Sequence, residues 1–75
     1  MTTSMALTDE GLARVKSAMA DGQWRTLDQI AAKADVDEYD LPSYFRRLKK
    51  PVNGGLRVEK YHVGNNLYRF RIAKG

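Results

Sequence analysis

The chain has no cysteine and a single histidine, His62. Disulfides and cysteine-ligated zinc are therefore excluded, and a zinc-dependent fold is left without ligands. No apolar run approaches the roughly 20 residues of a membrane span. There are no internal repeats, no low-complexity tract and no interdomain linker. Acid is nearly missing from the second half: between Pro42 and Gly75, Glu59 alone stands against nine Lys/Arg, a net charge of +8. Met1–Leu41 carries eight acids against four bases, a net of −4, so the overall +4 hides a polarised molecule. A basic half on a small domain is the electrostatic footprint of a polyanion binder.

Catalytic constellations are missing too. No cysteine nucleophile exists, and His62 has no obvious catalytic partner. The acids Asp35, Asp37, Glu38 and Asp40 lack the glycine and the distal glutamate of a calcium loop. Gly54-Gly55 lacks the lysine and following helix of a phosphate-binding loop. The sequence reads as a non-enzyme with no catalytic residues, no metal and no cofactor. Met1–Ala6 has neither a basic start nor a long apolar stretch, so no signal peptide is read and the expected location is cytoplasmic.

What is present fits one domain of 75 residues, short enough to bury only about 60% of its unfolded surface. Residues 1–7 read as a flexible tail and 8–75 as the domain. Thr8 is a helix N-cap followed by Asp9 and Glu10, which suit the positive end of the dipole. Leu12, Val15 and Met19 then make an apolar stripe beside Ala18, and Asp21-Gly22 ends the helix. Gln23-Trp24-Arg25 is a short extended segment, with Trp24 expected in the core. Thr26-Leu27-Asp28-Gln29 matches a capping box opening a second helix with a stripe of Leu27, Ile30, Ala31 and Ala34. After an acidic turn, Pro42 sets the start of a third helix, because proline is tolerated in a first turn where its missing N–H costs nothing. Its N-cap is placed at Asp40 or Tyr39. Leu41, Phe45 and Leu48 face inward, while Ser43, Tyr44, Arg46, Arg47 and Lys50 face outward; Pro51 stops the helix.

Leu56–Val63 and Leu67–Ile72 read as two strands joined by Gly64-Asn65-Asn66, with residues 61–66 a projecting tip. Tyr68, Phe70 and Ile72 alternate with Arg69 and Arg71, giving one buried and one wet, cationic face. Tyr39 and Tyr61 read as packing residues or partner contacts, and His62 as an ordinary residue of the hairpin.

The expected fold class is α+β: three helices, a short strand and a C-terminal β-hairpin. This ordered set resembles the winged helix-turn-helix family across Thr8–Ile72. The resemblance is carried by Trp24, the Thr26–Ala32 start of the second helix, Leu41 with Phe45-Arg46-Arg47-Leu48, and Gly-Gly-Leu-Arg-Val at 54–58. It is closest in kind to small stand-alone members from bacteriophages and bacteria. The long acidic turn Ala34–Asp40 and Pro42 at the start of the third helix depart from the pattern.

The resemblance implies double-stranded DNA binding by a transcriptional regulator or accessory factor, with the third helix in the major groove. Ser43 would meet a phosphate, and Tyr44 and Arg47 would share a base-contacting face. Arg46 and Lys50 would hold phosphates, while Arg57, Lys60, Arg69 and Arg71 on the wing would touch backbone or minor groove. Arg71 or Arg69 could instead pair with Glu59. One such module has a small footprint, so a homodimer, a protein partner or clustered sites are expected for tight binding. The alternative function is a protein-interaction module that uses the acidic face of Asp9, Glu10, Asp35, Asp37 and Glu38.

Overall fold

In a computed structural model, described for residues 7–73, the chain forms helices α1 (Asp9–Ala18), α2 (Leu27–Ala34) and α3 (Leu41–Leu48). An antiparallel hairpin of β1 (Arg57–Gly64) and β2 (Leu67–Ala73) follows. Single 3₁₀ turns precede and follow α3 at Glu38–Asp40 and Pro51–Asn53.

The helix limits follow local chemistry. Thr8 Oγ1 accepts from the Gly11 N–H at 2.9 Å, satisfying one orphan donor of α1. Gln29 Oε1 accepts from the Thr26 N–H at 2.9 Å, the reciprocal arm of the capping box. Asp40 is the N-cap of α3, and Pro42 lies in its first turn. The turn before α3 is not irregular: Asp37 Oδ1 accepts from the Tyr39 N–H at 2.9 Å and winds Glu38–Asp40 into a 3₁₀ turn that runs straight into α3.

Two arginines close the other helix ends. Arg25 donates to the Ala18 carbonyl at the end of α1, at 3.1 Å. Arg14 reaches across to α2 and donates to the Ala34 carbonyl at 2.8 Å, beside Asp35 in the left-handed conformation. Helix C-termini carry unpaired carbonyls and partial negative charge, so a guanidinium serves both needs.

The core gathers Leu12, Val15, Ala18 and Met19 of the α1 segment with Ile30 and Ala34 of α2. From α3 come Leu41, Tyr44, Phe45 and Leu48, and from β2 comes Ile72. Leu7, expected in the tail, packs against this core; the rest of the expected tail, residues 1–6, lies outside the described residues. Trp24, expected in the core, is only half-buried. Its neighbour Arg25 makes the strand contact, exchanging both backbone hydrogen bonds with Phe70 at 2.9 and 2.7 Å.

The hairpin turn is tighter than the sequence suggests. Gly64 belongs to β1, past a bulge at His62/Gly64, and Asn65-Asn66 alone make the turn with φ of 42° and 65°. Asparagine tolerates this left-handed region better than most residues, and two such residues match the right-handed strand twist. The expected projecting tip is thus a paired ladder out to Gly64 and Leu67. Its alternation fades because Tyr61, His62 and Val63 are all exposed, so neither face there selects for apolar residues.

Candidate nucleic-acid interface

Helix α3 is anchored at its C-terminal end, which sets its position against the hairpin. The Leu48 carbonyl accepts from the Leu56 N–H at 2.7 Å, and the Arg47 carbonyl accepts from Asn53 Nδ2 at 2.9 Å. Phe45 meets Phe70 of β2 with ring centroids 5.4 Å apart.

Helical spacing then places the exposed side chains. Arg46 and Lys50 are exposed and share one face with half-buried Ser43. Arg46 Nη2 donates to Ser43 Oγ at 3.1 Å, which holds the guanidinium along that face. Arg47 is half-buried at its flank and Lys49 is exposed on the other side.

Tyr44 is not on this face, contrary to the sequence reading. It is 2% exposed, and its hydroxyl accepts from the Thr8 N–H at 3.3 Å. The ring lies over Gly11 of α1, where the missing side chain leaves the space. The signal was present in the spacing: Leu41, Tyr44 and Leu48 follow i, i+3, i+7 as well as Leu41, Phe45 and Leu48 follow i, i+4, i+7. A small residue on the facing helix allows both aromatics to be buried. The expected pairing of Tyr44 with Arg47 on one base-contacting face is therefore lost.

The wing residues divide differently from the expectation. Cross-strand partners share a face, and Lys60 pairs with Phe70, the residue that packs on α3. Lys60 Nζ lies 5.0 Å from the Tyr68 ring centre, and His62 stacks on the same ring at 4.7 Å. This is the face turned toward α3. Arg57 pairs with Ala73, Glu59 with Arg71, and Tyr61 with Arg69, all on the opposite face. Arg57, Arg69 and Arg71 therefore do not share the hairpin face that packs on α3. Sequence alternation put Arg69 and Arg71 on one face but could not tell which way that face points; Arg69 is exposed, whereas Arg71, expected to be wet, is half-buried.

Arg71 is also engaged. Its Nε donates to Glu59 Oε1 at 2.8 Å, and its guanidinium lies 4.5 Å from the Trp24 ring centre. Trp24 continues to Tyr61 at 5.7 Å. The half-buried tryptophan thus braces the outer face of the hairpin instead of filling the core. Arg57 and Arg71 border a shallow hollow shared with Glu59 and Asp21, so the charge of that face is mixed.

Asp21 and Arg25 form a two-pronged pair, with both contacts at 2.8 Å. The Arg25 hydrogen bonds, helped by the Gln23 N–H, hold the Asp21 carboxyl well below the usual carboxylate range, and Asp21 in turn raises Arg25. The ion pairs among the described residues involve Arg14, Arg25 and Arg71. Among those residues Arg46, Arg47, Lys49, Lys50, Arg57, Lys60 and Arg69 form none.

Among the described residues no group of three His, Asp or Glu side chains converges as metal ligands would. No helix among them is long and apolar enough to cross a membrane. Comparison with protein-family models, curated proteins and solved structures finds nothing that matches this chain.

Proposed function

We propose that this chain is a winged helix-turn-helix protein that binds double-stranded DNA, acting as a small transcriptional regulator or accessory factor. In this reading α2 and α3 are the helix-turn-helix, and the hairpin is the wing. The observation that carries the proposal is the electrostatic state of α3. Four cations on and just past α3, Arg46, Arg47, Lys49 and Lys50, follow one another without an ion pair among the described residues, and Arg46 and Lys50 share one exposed face.

In this reading the roles differ from those the sequence suggests. Arg46, fixed by Ser43 in the middle of the exposed face, is the side chain that reads a guanine edge through its paired donors. Arg47 and Lys50 hold phosphates beside it. Lys60, on the hairpin face turned toward α3, is the wing cation that continues this surface. Arg57 and Arg69 are secondary backbone contacts, and Arg71 is structural.

The test is titration into random and selected short duplexes at several salt concentrations. Affinity should fall with salt at a logarithmic slope of about −0.9 per phosphate neutralised. Selection from a random duplex pool should return a preferred site with at least one guanine whose substitution affects wild type but not Arg46→Ala. A salt-independent interaction, or none at low salt, would refute the reading.

A further inference from the structure

Among the described residues the two most exposed large apolar side chains stand at opposite ends of α3: Tyr39 is 92% and Val52 is 85% exposed. Their surroundings carry opposite charge. Tyr39 forms one wall of an apolar groove completed by Leu27 and Pro42 and rimmed by Asp37 and Glu38. Asp28 lies beside Glu38 in the adjoining hollow below the wing. Among the described residues no Lys or Arg lines either. Val52 protrudes just past Lys49 and Lys50, all three exposed. Lys16 and Asp9 lie on the hollow beneath Val52 and offset each other.

We infer that the knob of Lys49, Pro51 and Val52 of one copy docks into the Leu27–Tyr39–Pro42 groove of a second copy, so that the chains associate head to tail. Apolar surface meets apolar surface, and Lys49 meets the Asp37/Glu38 rim. Within one molecule the two features cannot meet, because the eight residues of α3 hold them about 12 Å apart. The acidic rim repels phosphate, so Tyr39 is not a duplex contact in this arrangement. The surface joined differs from the surface joining it, so the contact is open-ended instead of closing as a two-fold dimer. The face of α3 that carries Arg46 and Lys50 stays free between the two contacts. The self-contact stands independently of DNA binding; its consequence, cooperative loading of neighbouring copies on a duplex, rests on the function proposed above.

The interface is small, and interfaces well under about 1,000 Å² are weak, so association in free solution is confined to high concentration and low salt. A duplex that holds several copies raises their effective concentration, and binding there should be tighter by roughly tenfold or more than on a one-copy duplex.

Sedimentation velocity over a concentration series tests the contact with wild type, Glu38→Lys and Lys49→Glu. Wild type should grow in average mass without stopping at two. Each single variant should stay monomeric. An equimolar mixture of the two should associate again, because each reversed surface then finds its complement, which also shows that both variants fold. The inference is overturned if wild type is monomeric throughout and loads a long duplex non-cooperatively. A closed dimer indifferent to both variants also overturns it. If wild type associates but binds no duplex, the DNA reading falls and the head-to-tail contact stands. If all three proteins bind a long duplex without cooperativity, the contact falls and the DNA reading stands.

Discussion

Tyr44 of α3 fills the space that a side chain at Gly11 of α1 would need, and its hydroxyl accepts from the Thr8 N–H at 3.3 Å. A tyrosine that the sequence offers to DNA thereby becomes the rivet between the first and third helices. The added methyl of Gly11→Ala would coincide with the phenol oxygen of a ring that is 2% exposed. Overpacking of this kind costs about 1–3 kcal/mol. That outweighs the roughly 0.5–1 kcal/mol that alanine gains over glycine within a helix. Urea unfolding should show a net loss for Gly11→Ala. Tyr44→Phe should cost about 0.5–1.5 kcal/mol for the lost hydrogen bond and leave duplex affinity unchanged. Loss of affinity at unchanged stability would return Tyr44 to the interface.

Arg46, Lys60 and Arg71 should give three different binding phenotypes. Arg46→Ala is expected to lose about 1–3 kcal/mol of discrimination at one base pair. Lys60→Ala should weaken all sequences alike and reduce the salt slope by about 1. Arg71→Met should leave affinity unchanged and instead shift the fluorescence of Trp24, the only tryptophan, by removing the cation 4.5 Å from its ring centre. Binding titrations and emission spectra of the three variants decide the assignment. Equal losses of affinity would refute the division of the hairpin into two faces.

Acid should loosen the link between α1 and the strand contact. The Asp21 carboxyl is held below its ordinary value of 3.8 by Arg25, so the folded state binds this proton less readily than the unfolded chain. Its contribution is fully present above that ordinary value and is lost as pH falls below it toward the lowered one. Thermal melts across this acid range should show wild type losing stability more steeply than Asp21→Asn, which starts lower at neutral pH. Parallel curves for the two proteins would show that the pair contributes nothing.

Two substitutions separate local from tertiary support of α2. Ile30 is fully buried, and Ile30→Ala should cost about 2–5 kcal/mol. Gln29→Ala removes only the side chain that accepts from the Thr26 N–H, for a loss of order 1 kcal/mol. Denaturant midpoints measure both. An equal loss would mean that the cap is coupled to the core.

The parts of the fold that were legible in the sequence are those set by contacts a few residues apart. Thr8, the Thr26/Gln29 pair and Pro42 each act within one helical turn, and the helix starts they predict are found. The alternation of Phe70 and Ile72 with Arg69 and Arg71 gave two faces of a strand, and the register agrees. Tyr39 read as a packing residue or a partner contact, and its 92% exposure excludes packing; Val52 carried no readable signal. Their exposure depends on neighbouring elements failing to cover them, and no local pattern encodes that.

By itself the sequence determined the order and type of the elements, the charge division between the halves and the basic character of α3. Caps, proline and period-two alternation are local, and charge is simply counted. Only the tertiary structure decided which cations remain available. Glu59 meets Arg71 because strand register puts them opposite each other, and Trp24 covers Arg71 because the Arg25–Phe70 bridge carries it there. Lys60, not Arg69 or Arg71, shares the face toward α3 because Phe70, its cross-strand partner, packs on Phe45. Pairing and packing join residues far apart in the chain, and they determine where each charge of the basic half points.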